Sequence, residues 1–292
     1  MTAARSTVSP RQVAEALGVS ESSVKRWSDQ GLMATQKTAG GHRKLVLADV
    51  LRFVHERGFT IDKPELLGLP GAAPRRTIPL DESRGNLLAA LMAGDAAAIT
   101  RIIVGLFVGG LPMTELFDGV LGPALRDLGT GWKHGTVRVF EEHRAIVLVQ
   151  RALHDLRELV PRSTRRKPPL GLFATVSGDP YTVALTMSEL TVLGLGWAAT
   201  NLGADTPAAT LCEAIVSTKP RVLGLGINHV AAEDLDAFAA AYGSVAACAR
   251  THHTAIVVGG VGTTPEVRAR IRYAACCASM RELADFCASL DA

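Results

Sequence analysis

Leu170-Gly-Leu-Phe-Ala-Thr-Val176 is a short apolar run, Ser177-Gly178-Asp179-Pro180-Tyr181-Thr182 interrupts it, and Val183–Leu193 continues as a helical stretch. The same alternation recurs to the end of the chain. Further apolar runs fall at Gly196–Asn201, Val222–Ile227, Ala255–Val258 and, weakly, Tyr273–Ala275. Helical stretches fall at Pro207–Ser217, Glu233–Ala249, Thr264–Arg270 and Met280–Leu290. Strands alternating with helices predict a parallel sheet covered on both faces. Ligands of such sheets sit at the carboxyl ends of the strands.

Upstream the pattern changes. Val160–Pro169 is basic and proline-rich and reads as a solvated connector. Before it, four groups of apolar residues follow a 3.6-residue period: Leu87, Leu88, Leu91 and Met92; Ile99, Ile102, Ile103 and Leu106; Leu116, Val120, Leu121, Leu125 and Leu128; and Ile146, Val149, Leu153 and Leu156. Gly94-Asp95, Gly109–Pro112 and Gly129–Gly135 punctuate them. Residues 82–160 are therefore expected as an antiparallel four-helix bundle. Residues 61–81 hold Pro64, Pro70, Pro74 and Pro79, too many for a helix, and are expected as a linker.

Residues 1–60 read as a separate head. Pro10–Gly18 is a short helix with Val13, Ala14 and Leu17 inward, and Gly18-Val19-Ser20 is a tight turn. Ser20 caps a second helix, Glu21–Asp29, with Val24 and Trp27 facing the core. Ser22, Ser23, Lys25 and Arg26 are left outward. This order predicts a helix-turn-helix, whose small serines let the helix start approach base edges while Lys25 and Arg26 meet phosphate or guanine. Gly40-Gly41 then allows a hairpin tip within Lys37–Leu45. His42, Arg43 and Lys44 follow it as a wing on the DNA backbone, and Leu47–Arg57 is a further helix.

Charge supports that division. The 292 residues carry a net charge of +3, yet residues 1–60 hold nine Lys/Arg against five acids, and the remainder 22 against 23. A basic head on a neutral body is the asymmetry of a nucleic-acid binder. A chain 48% hydrophobic and 20% charged is not disordered as a whole. No apolar run reaches the roughly 18 residues of a membrane span, and the polar N-terminus lacks the core of a secretory signal. Cys212, Cys248, Cys276, Cys277 and Cys287 form no Cys-x-x-Cys pair, so neither a disulfide framework nor a zinc site is expected, and a cytoplasmic setting is.

Val13-Ala-Glu-Ala-Leu-Gly-Val19, Val24-Lys-Arg-Trp27, Gly31-Leu32 and Gly40-Gly-His-Arg43 together resemble the MerR-type winged helix-turn-helix. Pro123-Ala-Leu125, Gly129, Trp132 and, nine residues on, Glu142-His143 resemble the helical cap of the cobalamin-dependent light-sensing regulators of the CarH and LitR type. That resemblance implies that Trp132, Glu142 and His143 line the upper face of a corrin, and that His143 can capture cobalt after light breaks the carbon–cobalt bond. The sheet-forming part then resembles the cobalamin-binding domain, in which the family's first loop reads Asp/Glu-x-His-x-x-Gly, followed forty-one residues later by Ser-x-Leu and then by Gly-Gly. Here Asp179-Pro-Tyr181-Thr-Val-Ala184 fills the loop, Gly226-Ile-Asn228 stands forty-one residues on, and Gly259-Gly260 closes the set, with Leu202–Pro207 matching the family's second loop. The framework is kept but its chemistry is changed: Tyr181 replaces the imidazole that ligates cobalt, Ala184 and Gly226 alter the path of the nucleotide tail, and Asn228 replaces an apolar contact. A phenol with pKa near 10 is a poor cobalt donor at neutral pH.

The expectation is therefore a multidomain chain: a winged helix-turn-helix (1–60), a linker (61–81), a four-helix bundle (82–160) and a Rossmann-like, flavodoxin-type domain (170–292). It is expected to bind double-stranded DNA as a homo-oligomer, a dimer or a tetramer. Trp132, Glu142, His143, Asp179, Tyr181, Gly226, Asn228, His229, Gly259 and Gly260 are its candidate ligand residues. The ligand is expected to be a tetrapyrrole other than standard His-ligated cobalamin: haem, a bilin held by Glu142 or Asp179, or cobalamin bound atypically. His143 or Tyr181 is the candidate metal ligand. Another small ligand, or none, remains open, and with no ligand the body serves oligomerisation or partner recruitment. An enzyme is not expected: the cobalamin modules of methyltransferases and mutases need the missing His and a catalytic domain. Neither Gly-x-Gly-x-x-Gly nor a nucleophile–base motif occurs.

Overall fold

The computed structural model describes residues 6–37, 40–71 and 79–291. The chain divides into two compact units, Met1–Pro161 and Arg162–Ala292.

The first unit opens with β1 (Thr7–Val8), α1 (Pro10–Ala16), α2 (Glu21–Asp29), β2 (Thr35–Lys37), β3 (Arg43–Val46) and α3 (Leu47–Arg57). Ser9 and Gln12 form a capping box at the start of α1, with Pro10 at the first helical position where its missing N–H costs nothing. Gly18 turns the chain at φ +64°, a left-handed conformation that glycine adopts without strain. Ser20 then caps α2, its hydroxyl accepting from Ser23 N–H at 3.2 Å. The three strands form an antiparallel sheet in the order β1-β3-β2. Val13, Val24, Leu45, Val50 and Leu51 are fully buried. Trp27 is half-buried and lies 4.9 Å from Phe53 and 5.3 Å from Phe59 between ring centroids. We expect Trp27→Ala to lower the stability of this unit by about 2 kcal/mol, read by urea unfolding; a loss under a third of that would mean the ring cluster is ornamental.

The linker expected at 61–81 is shorter than its prolines suggested. Pro64–Leu67 forms a 3-10 turn, Leu67 and Leu69 are buried, and Gln12 Nε2 donates to Leu66 O at 3.0 Å. Proline at the first position of a short helix starts it rather than breaking it. Residues 72–78, including Pro74, lie outside the described residues.

Next come α4 (Leu80–Ala93), α5 (Ala96–Val108), α6 (Met113–Glu115), a wide turn at Leu116–Leu121, α7 (Gly122–Lys133) and α8 (Val139–Leu159). The wide turn bonds Gly122 N–H to Phe117 O, five residues back, just before Pro123, which has no N–H to give and would crowd an ordinary helical turn. Leu87, Leu91, Ile99, Ile103, Leu116, Val120, Leu121, Leu128, Val149, Leu153 and Leu156 are buried as their period predicts, whereas Met92 is exposed. The head and these helices share one unit because α3 packs on α8 and His55 Nε2 donates to Val108 O at 3.3 Å.

The second unit comprises β4 (Leu170–Val176), α9 (Val183–Gly194), β5 (Ala198–Thr206), α10 (Ala208–Thr218), β6 (Val222–Gly226), a short 3-10 turn, α11 (Leu235–Thr251), β7 (Ala255–Gly259), α12 (Pro265–Arg270), β8 (Ala275–Cys276) and α13 (Met280–Ser289). Its five strands are parallel in the order β5-β4-β6-β7-β8, the Rossmann-like arrangement. Along β4, Leu172, Ala174 and Val176 face a core shared with α10 and α11, while Phe173 faces Leu185, Trp197, Leu283 and Cys287. Gly224 has no side chain because Phe173 lies over it: a Cβ there would stand 2.5 Å from the ring. The edge strand β5 runs on to Thr206 through the stretch expected as a loop from Leu202. It does so irregularly, with register shifts against β4 and Gly203 at φ +88°. Polar residues on an edge strand hide it from a hydrophobic pattern.

Candidate DNA-facing and ligand-facing sites

At the start of α2, Ser22 is exposed, and the hydroxyls of Ser22 and Ser23 each lie 2.9 Å from Ser20 Oγ. Arg26 is exposed with no ion-pair partner among the described residues, whereas Lys25 pairs with Glu21 at 2.9 Å. Of the three expected wing residues, His42 is exposed and Lys44 is half-buried. Arg43 differs from the expectation of a free phosphate contact. Its guanidinium lies 2.5 Å from Asp29 Oδ1 at the end of α2 and straps β3 to that helix. The missed signal was Asp29, an acid at a helix end facing the strand fourteen residues on.

In the helical part of the same unit, Trp132 is 46% exposed at the end of α7. Glu142 is half-buried and His143 exposed on α8, with His143 Nε2 3.7 Å from Glu142 Oε2. Val139, Phe140 and Val147 are also exposed. Val139, His143 and Val147 stand four residues apart and so share one helix face, opposite the buried stripe of Ala145, Val149, Ala152 and Leu156. Sequence reading missed this apolar face, although its residues fall visibly out of phase with that stripe. Arg138 covers Phe140 at 4.6 Å and pairs with Glu141 at 2.5 Å, which holds the Glu141 carboxyl down at about 2.

In the second unit, three loops meet at the carboxyl edge of the sheet. Asp179 is fully buried. Its carboxylate accepts from Asn228 N–H at 2.6 Å, from Asn228 Nδ2 at 3.1 and 3.3 Å, and from Tyr181 N–H at 3.1 Å. Its carbonyl accepts from Thr175 Oγ1 at 2.5 Å, and that hydroxyl in turn accepts from Asp205 N–H at 2.9 Å. These bonds correct two expectations. Asp179 does not reach outward to a ligand, and the Asn228 amide turns inward to Asp179. Beside Gly226, a Cβ would stand 3.1 Å from Thr175 Cγ2 and 3.4 Å from Leu185 Cδ2, so side chains already fill that space. The glycines of the third loop serve close packing: a Cβ on Gly259 would meet Cys277 O at 2.9 Å, and one on Gly260, at φ +107°, would meet Ile227 O at 2.4 Å. Tyr181 (55%), His229 and Val261 (85%) remain exposed along this edge.

Burial pushes the thiols of Cys277 and Cys287 up to about 11 and about 12, so neither is poised as a nucleophile for attaching a pigment. Among the described residues, no three His, Cys, Asp or Glu side chains are clustered to hold a metal ion, and no helix is long and apolar enough to cross a membrane.

Residues 84–156 match the family described as the B12 binding domain. The chain is 27% identical over 242 residues to the HTH-type transcriptional repressor CarH of Myxococcus xanthus, covering 76% of this chain and 80% of that protein. It is 25% identical over 272 residues to the HTH-type transcriptional repressor CarA of the same organism, covering 90% of each. Among solved structures, the monomethylamine corrinoid protein of Methanosarcina barkeri superposes with a TM-score of 0.59 at 13% identity, covering 73% of this chain and all of that one. This last likeness concerns the fold alone. The chain is thus similar to CarH-type regulators, with a cobalamin-binding-like body. The loop after β4 offers no imidazole to a cobalt: position 181 is a phenol, and the carboxylate two residues before it is taken by Asn228.

Proposed function

We propose that the protein is a DNA-binding transcription regulator with a MerR-type winged helix-turn-helix head and a four-helix bundle followed by a cobalamin-type sheet domain. The observation that carries this reading is the start of α2. A serine-capped, serine-lined helix N-terminus stands exposed beside Arg26, with the β2–β3 pair strapped to the same helix by Arg43 and Asp29. That arrangement suits insertion of α2 into a major groove with the strand pair on the flanking backbone. Similarity to two HTH-type repressors over three quarters or more of the chain supports it. The protein acts as a homo-oligomer, since such heads read paired half-sites about one helical turn apart.

For the body, the reading is a sensor of a flat tetrapyrrole other than standard cobalamin ligated by a histidine of the first loop: haem, a bilin, or cobalamin bound atypically. The exposed α8 face supports it: Phe140 and Val147 supply apolar surface, and His143 an exposed imidazole. A tetrapyrrole would supply visible-light absorption. A second reading is favoured by the Asp179–Asn228 bonds: loops satisfied by their own side chains need no ligand to hold them, and the body then serves assembly alone.

Absorption separates the two. The protein is purified in darkness and mixed with hydroxocobalamin, haemin or biliverdin, and each mixture is run on size exclusion with and without light. The sensor reading expects a co-eluting, shifted band that His143→Ala weakens. A chain that retains none of the three pigments leaves the assembly reading standing.

A further inference from the structure

The second unit holds a cleft of about 360 Å3 that belongs to none of the residues discussed so far as ligand-facing except His229. It lies between α10 and α11, over the carboxyl ends of β4 and β6. Those two strands are neighbours whose following segments leave in opposite directions, α9 to one face and α11 to the other. Crevices at such switch points are where open α/β sheets bind ligands, and the volume falls at the small end of the usual range of about 300–1,000 Å3. The opening has a sequence cause. Ala237 and Ala241 on α11 and Ala208 on α10 line it, where larger side chains would have closed the gap.

Its chemistry is graded. Leu211, Leu225 and Val245 make an apolar floor. Phe238 and Tyr242, with ring centroids 6.1 Å apart, make an aromatic wall, and the Tyr242 hydroxyl is already committed to Arg272 O at 2.9 Å. Asp234 sits at the mouth, exposed, one helical turn before Phe238, and among the described residues no ion pair engages it. No lysine or arginine is among the lining residues. An anion would meet the Asp234 carboxylate with no lysine or arginine beside it, whereas a cation with a flat apolar body would gain the floor, the ring faces and Asp234.

The geometry points to a second binding site here, for a small aromatic cation. Because Ser177 and Gly178 precede Asp179 and His229 follows Asn228, an occupant touches two of the loops at the carboxyl edge. The site does not depend on the DNA or tetrapyrrole readings.

The test uses the full chain without DNA or pigment, and two probes of equal size and opposite charge: N-methylquinolinium and 1-naphthoate. Isothermal titration should show one saturable site per chain for the cation, with the anion about tenfold weaker or worse. Asp234→Asn should weaken the cation about three- to fivefold and leave the anion no weaker. Ala241→Phe should abolish cation binding while the melting transition persists; if that variant fails to fold, Ala237→Met fills the same space from the exposed side. Equal affinity for both probes, no saturable binding of either, or cation binding that survives the filled cleft would each overturn the proposal.

Discussion

Replacing Asp179 by alanine should cost the second unit about 4 kcal/mol, because three N–H donors lose their acceptor in a fully buried place. Asp179→Asn should cost less, since its one remaining acceptor oxygen can keep the bonds from Asn228 N–H and Nδ2 while its NH2 faces the Tyr181 N–H and loses only that bond. The measurement needs a reporter confined to Arg162–Ala292. Trp197 is one: it is buried, its Nε1 donates to Asp291 Oδ2 at 2.9 Å, and the other two tryptophans, Trp27 and Trp132, lie in the first unit and can be changed to phenylalanine. Urea unfolding followed by Trp197 fluorescence then reads the second unit alone. A loss below about 1 kcal/mol for the alanine variant would mean that water or a shifted loop takes over the carboxylate's bonds.

The second large effect is expected at the proposed DNA-facing surface. Arg26→Ala together with Lys44→Ala should weaken binding about 10- to 100-fold at low salt and reduce the slope of log affinity against log salt by about 2, with little change in preferred sequence. Arg43→Ala should behave differently. Its guanidinium is held by Asp29, so its loss should release the strand pair from α2 and leave the salt slope nearly unchanged. An Arg43 variant that lowers the slope as much as Lys44→Ala would place that guanidinium on phosphate and break the ion pair as the description of its role. Fluorescence anisotropy across a salt series distinguishes the two cases.

Much of the fold was legible because burial and period agree. The bounds of α2 and α3 followed from Ser20 as a cap and from apolar residues spaced for one helix face. The alternation after Leu170 gave the parallel sheet, since strands buried on both faces read as continuous apolar runs. Legibility failed where polar residues carry the structure. β5 lengthened through Leu202–Thr206 because an edge strand need not be apolar. The Pro64–Leu67 turn hid among prolines that begin a helix as readily as they end one. At the candidate sites, sequence named the residues but not their direction. Asp179 and Asn228 were both counted as facing a ligand, yet they face each other. No periodicity encodes a bond between loops 49 positions apart.

That bond ties positions 179 and 228 into one inherited character, with 181 beside them. Asn228→Leu strips a buried carboxylate of an amide donor. Tyr181→His, made while Asn228 stays, adds an imidazole whose nearest carboxylate is already committed. Each single step leaves a chain less well satisfied than a double change does. Lineages carrying this arrangement should therefore change positions 181 and 228 together while Asp179 stays in place, so that the buried carboxylate never lacks a donor.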